Sequence, residues 1–169
     1  MPPALKFGTA AVRFFPLCAL LLFLAACQSV SSKRRAHEAL LARHLMEEEI
    51  AREKPAPFFI GRRYYKEDYK MWGYLRRPGQ PWAESQLVVL NENKTLAADR
   101  AQNDIGSDNG FEYRVWGRFT GEKVYEPASN GFYPEFLLEK MECVSTQPGP
   151  IFRDLRALDP RIRFYPKPY

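Results

Sequence analysis

Histidine is nearly absent from this chain of 169 residues. The two present, His37 and His44, are seven positions apart, two turns along one helix face. That is too far to share a metal ion without outside ligands, so neither a metal site nor a cofactor is expected. Cysteine is also scarce. Cys18 and Cys27 fall within and at the end of an apolar N-terminal stretch, and Cys143 alone lies beyond it. An internal disulfide in the remainder is thereby excluded. No glycine-rich phosphate loop occurs, and no local Ser-His-Asp or Cys-His grouping points to a nucleophile. No catalytic residue is therefore assigned. Glu135 and Glu139 are the carboxylates a hydrolase would draw on, although nothing in the sequence sets their separation. Asp104, Asp108 and Asn109, with Gly106 and Gly110, lack the alternating ligands of a calcium-binding EF-hand loop and read as a turn-rich loop.

A strong charge of either sign is missing too. The formal charge is +5, and without the first 26 residues, which carry Lys6 and Arg13 but no acid, 23 bases stand against 20 acids. So small a surplus gives no reason to expect a nucleic-acid partner. Aromatics, in contrast, reach 14%. That enrichment favours strands and surfaces that bind by stacking. The 14 prolines confine long helices to the stretches that lack them.

Lys6 and Arg13 form a basic start, and the 13 residues from Phe14 to Ala26 carry no charge. This length suits the apolar core of a secretory signal and falls short of the roughly 20 residues of a spanning helix. Leu24-Ala25-Ala26-Cys27 follows directly. This segment resembles the lipobox of bacterial lipoproteins. The resemblance covers only the first 27 residues. It implies cleavage after Ala26 and a diacylglyceryl group on the Cys27 sulfur, usually with a further acyl chain on the new amino terminus. At about 0.8 kcal/mol per buried methylene, two or three chains anchor far better than one. The resemblance also implies export to the cell envelope. Gln28, where an Asp would favour inner-membrane retention, favours the outer membrane, with the domain facing the periplasm or the cell exterior. In such an oxidising compartment the lone Cys143, in strand phase with Met141 and Leu137, is expected to be buried.

Residues 27–32 read as a lipidated cysteine and polar spacer. Lys33 to Lys54 contains no Gly or Pro and is rich in strong helix formers, with Ser32 as candidate N-cap and Pro55 as stop. Lys33-Arg34-Arg35 at its start and Glu47-Glu48-Glu49 near its end both oppose the helix macrodipole. The helix reads as a solvated tether whose narrow apolar stripe packs on the following domain, or as a basic end resting on anionic headgroups.

Residues 57–145 carry short β-rich runs separated by turn residues. Strands are expected over Phe58–Tyr65, Tyr69–Arg76, Gln86–Asn91, Phe111–Thr120, Lys123–Glu126 and Phe132–Val144. Leu96–Ala101 fits a short strand or a helical turn. Tyr69-Lys70-Met71-Trp72-Gly73-Tyr74-Leu75 echoes Tyr113-Arg114-Val115-Trp116-Gly117-Arg118-Phe119, 44 positions later. A mid-strand glycine marks a bend, a bulge or a close backbone approach. Two such strands resemble the first and fourth strands of an OB-fold. The expected fold is thus mainly β: a small antiparallel Greek-key barrel of five to six strands behind one helix. An antiparallel sandwich is the alternative.

Strand alternation assigns Met71, Gly73 and Leu75 to one face and Lys70, Trp72, Tyr74 and Arg76 to the other. In the second copy Arg114, Trp116 and Arg118 point outward. Two tryptophans and their bases then form a candidate ligand surface for glycans or anions, unless the helix or tail covers them. Residues 146–169 form a basic, proline-rich tail whose aromatic end suits docking, in cis or on a partner, or disorder. These features lead to an expectation of a non-enzymatic binding or scaffolding module, anchored through Cys27 to membrane lipid and serving an envelope protein partner. A glycan or anionic-polymer binder and a carboxylate hydrolase are the rivals.

Overall fold

The computed structural model describes residues 15–169, with side chains from residue 34 onward. Lys6 and Arg13 of the expected signal, and the Cys18 and Cys27 side chains, lie outside the described residues. Helix α1 runs unbroken over Phe15–Arg52. The polar spacer expected at residues 27–32 is therefore helical, and Ser32 is no N-cap. No Gly or Pro interrupts residues 17–54, and a helix already nucleated extends cheaply through three serines. The helix stops at Arg52 rather than Lys54 because Pro55 turns the residues before it out of helical backbone. Arg34–Glu38, Arg43–Glu47 and Glu48–Arg52 pairs run along its exposed side at one-turn spacing. Among the described residues no helix is long and apolar enough to cross a membrane.

Arg43–Tyr169 forms its own compact unit. Its strands are β1 (Phe59–Arg63), β2 (Gly73–Arg76), β3 (Gln86–Asn91), β4 (Glu112–Glu126) and β5 (Gly131–Ser145). They close a barrel in the order β1-β2-β3-β5-β4, with β4 returning to β1. This is a small OB-like barrel, and the sandwich alternative is excluded. All pairings are antiparallel except β3 with β5, which is parallel, so the barrel is mixed rather than wholly antiparallel. Phe111–Thr120 and Lys123–Glu126 are one strand, β4, whose irregular pairing between Phe119 and Lys123 absorbs the Thr120-Gly121 turn signal. The segment Ala98–Ala101 is a helical turn, α2.

Trp72, Leu75, Val88, Val115, Phe136 and Leu138 fill the barrel. Phe59, Phe119 and Phe136 meet edge to face, with centroids 5.1–5.6 Å apart. Elsewhere charge fills the interior. Buried Arg63 reaches Asp99 at 2.7 Å and Asp108 at 3.1 Å, while the Tyr113 hydroxyl donates to Asp108. Burial works to raise the Asp99 pKa, but Arg63 and the Gly106 N–H outweigh it and hold the carboxyl below its usual range. At Asp108 burial wins over Tyr113 and Arg63, and the carboxyl titrates above its usual range. Removing one member of such a network would strand a buried charge, which is how it fixes the loop between β3 and β4 onto β1.

Barrel curvature depends on the two echoed glycines. A Cβ on Gly73 would lie 2.2 Å from the Arg62 carbonyl oxygen, and one on Gly117 would lie 2.1 Å from that of Leu137. Gly117 also has φ +151°, which side chains rarely adopt. Gly73→Val and Gly117→Val are each expected to cost at least about 1–3 kcal/mol in urea melts. Gly149→Ala, whose Cβ meets nothing within 4 Å, should stay within about 0.5 kcal/mol of wild type. Wild-type midpoints in both valine variants would contradict the geometry.

Candidate functional site

The surface expected from the repeated motif comes apart in the fold. Lys70, Arg114 and Arg118 are exposed, but Trp72, Tyr74 and Arg76 are buried. Trp72, 2% exposed, lies inside the barrel against Tyr113. The physical reason is a break in strand alternation. Residues 66–72 form a turn and irregular chain, and β2 starts only at Gly73. Met71, expected inward, instead accepts a contact from the Tyr165 hydroxyl on the tail side, while Trp72 turns in. From Gly73 onward the assigned faces hold, with Leu75 inside and Tyr74 outside under the tail. Arg76 faces outward but is sealed in by Glu53 and the Trp82 ring.

The second copy keeps its surface character. Trp116 is half-buried on the outer face of β4, with its ring 5.3 Å from Phe58 and beneath the Lys140 ammonium at 4.6 Å. Arg114 lies 5.4 Å from the Phe58 ring centroid. Antiparallel pairing places Trp116 opposite Lys140 and Arg114 opposite Glu142, and Lys140 pairs with Glu142 at 2.6 Å. The result is an aromatic pair in a rim of mixed charge. Phe58, Lys140 and Glu142 had no sequence signal beyond their residue types, because strand pairing alone brings them to Trp116.

A second outer face, over β1 and β2, is covered by the chain's own tail. Tyr64, just past the end of β1, and Tyr74 on β2 meet edge to face at 5.4 Å, and both touch Phe152. Tyr64 donates to the Phe164 carbonyl and Tyr74 to the Pro166 carbonyl. Lys66 is buried and donates to the Asp159 carbonyl at 2.6 Å. Burial pushes this ammonium below its usual pKa, with Asp159 opposing. The docked tail was one of the outcomes the aromatic end allowed. Trp82, which carries no sequence assignment, has the Arg62 and Arg76 guanidiniums over its ring at 5.2 and 4.8 Å.

Glu135 and Glu139, the carboxylates considered for hydrolysis, are each engaged by a different partner. Glu135 accepts from Asn91 and Glu139 pairs with Lys94 at 2.8 Å, each a separate surface contact. A polar cavity of about 270 Å³ at the Phe59–Phe119 end of the barrel has one lining carboxylate, Glu84. Among the described residues no cluster of His, Cys, Asp and Glu suits a metal, and Asp108 of the candidate calcium loop is committed to Arg63 and Tyr113. Comparisons with protein-family models, curated proteins and solved structures found no match.

Cys143 also departs from expectation. It is exposed, two residues before the end of β5, even though its cross-strand partner Tyr113 is buried. A folded chain that starts after Cys27 should therefore label with a polar thiol reagent without denaturant, and Cys143→Ser should abolish that labelling. Protection of the native thiol until unfolding would contradict the structure.

Proposed function

We propose that this chain is a lipid-anchored, non-enzymatic binding module of the bacterial cell envelope, with the Trp116 face as its ligand surface. The anchor reading rests on the lipobox-like Leu24-Ala25-Ala26-Cys27, and Gln28 favours the outer membrane. The observation that carries the binding reading is the half-buried Phe58–Trp116 pair, flanked by Arg114 and Lys140, with Arg118 exposed on the same strand. Large aromatic rings ringed by charge are the usual centres of protein interfaces.

The chemistry of the rim decides between partner classes. Lys140 is already paired with Glu142 and Lys94 with Glu139, so the acids offset part of the basic charge and weaken the match to a polyanion. Lys140 already occupies one side of the Trp116 ring, and a sugar would have to displace it. A protein partner with a mixed polar rim fits better than an anionic glycan.

Two substitutions test the two halves of the proposal. Cys27→Ser should abolish lipid attachment and leave uncleaved precursor; mass spectrometry of wild type finding an unmodified Cys27 would remove the anchor. Trp116→Ala should weaken capture of the envelope partner by roughly thirtyfold or more, the scale of a truncated interface hot spot at ~2 kcal/mol, with the melting midpoint little changed. Equal capture by wild type and Trp116→Ala would move the binding surface elsewhere.

A further inference from the structure

We propose that the outer face of β1 and β2 is a peptide-binding groove, and that the C-terminal residues 163–169 are a built-in occupant which an extended Tyr-Pro-x-Pro segment of a partner protein replaces. This groove is separate from the Trp116 face. Residues 163–169 read Arg-Phe-Tyr-Pro-Lys-Pro-Tyr and carry no helix or strand. Pro166 and Pro168 have no N–H to offer a sheet edge, so carbonyls and ring surfaces are what such a segment can present.

The groove supplies partners for both. The hydroxyls of Tyr64 and Tyr74 donate to the carbonyls of Phe164 and Pro166, two residues apart along the peptide. The Tyr165 ring packs between Tyr69, at 4.3 Å, and Tyr133, at 6.4 Å and nearly parallel. Tyr69 comes from the β1–β2 connection and Tyr133 from β5, so the two walls are set by separate parts of the barrel. Arg163 pairs with Asp68 at 2.7 Å at the groove's edge. An aromatic-lined channel with hydroxyl donors aimed at alternate carbonyls is the chemistry by which proline-rich, extended peptides are recognised.

The attachment is also of a reversible kind. The N–H of Phe164 bonds within the tail, to Ile162, and that of Tyr169 bonds to Ile151, so neither joins the strand ladder. The barrel ladder is complete without this segment. The tail end can therefore open without breaking a strand pairing, as weakly held terminal segments do. In cis it competes at the high effective concentration of a short tether, which masks the groove from weak trans ligands.

The test uses the full chain and a fluorescent synthetic peptide of residues 161–169. Tyr165→Ala in the chain weakens the built-in occupant without touching the groove walls. It should bind the peptide roughly tenfold or more tighter than wild type, because tethered competition is reduced. Arg163→Ala, which loosens the tail without removing an aromatic ring, should shift affinity in the same direction. Adding Tyr74→Phe to the Tyr165→Ala chain, which removes only the hydroxyl, should weaken the peptide several-fold. A peptide carrying Tyr165→Ala should bind at least tenfold more weakly than the native one. Equal affinity of wild type and Tyr165→Ala for the native peptide, no binding by either at millimolar peptide, or indifference to the tyrosine in the peptide would each overturn the proposal.

Discussion

Barrel closure rests on two places where neighbouring backbones approach so closely that no side chain fits between them. At Gly73 the strand passes against the Arg62 carbonyl, and at Gly117 against that of Leu137. The first approach lies beside the break in alternation that sends Trp72 inward. Its indole then takes the space over Gly61, where even a Cβ would come within 2.8 Å of the ring. The second lies at the pairing shift between Trp116 and Gly117, and leaves Trp116 outside. Two sequence motifs of one pattern thus place one tryptophan inside the barrel and the other on its outer surface.

Once Trp72 fills the interior, the other assignments follow from what remains. Tyr64, just past β1, and Tyr74 and Arg76 on β2 stand outward and need a cover, which the tail and Trp82 provide. Arg62 and Arg76 can be buried because Glu112 and Glu53 reach them and both guanidiniums pack on the indole of Trp82. Aromatic rings and guanidiniums do for this face what aliphatic packing does inside the barrel. The β4–β5 face needs no such cover, and Phe58 and Trp116 are held there by Arg114 and Lys140.

How much of this was legible in the sequence follows from the range of each interaction. The paired glycines were visible because a backbone constraint writes itself into one residue, and they led correctly to a small closed barrel. The face of Trp72 was not visible, because alternation assumes an unbroken strand and the turn at residues 66–70 breaks it before Gly73. Buried bases were not visible either. Arg63 reads as a surface residue until the fold brings Asp99 and Asp108, remote in sequence, to its side chain. Cys143 reads as core from its strand phase, yet it is exposed beside a buried partner, because phase alone does not fix what covers a residue near a strand end. The docked tail left only a compositional trace, aromatics among prolines, which fits docking and disorder alike.

The account turns on the opposite placement of Trp72 and Trp116, and hydrogen–deuterium exchange of the indole N–H groups, followed by NMR, reads it directly. The Trp72 Nε1–H is buried without a hydrogen-bond partner, so its protection comes from burial alone. It should exchange only with opening of the barrel, whereas the half-buried Trp116 indole should exchange orders of magnitude faster. A Trp72 indole that exchanges as fast as that of Trp116 would place both tryptophans at the surface and contradict the inside–outside division on which the two binding faces depend.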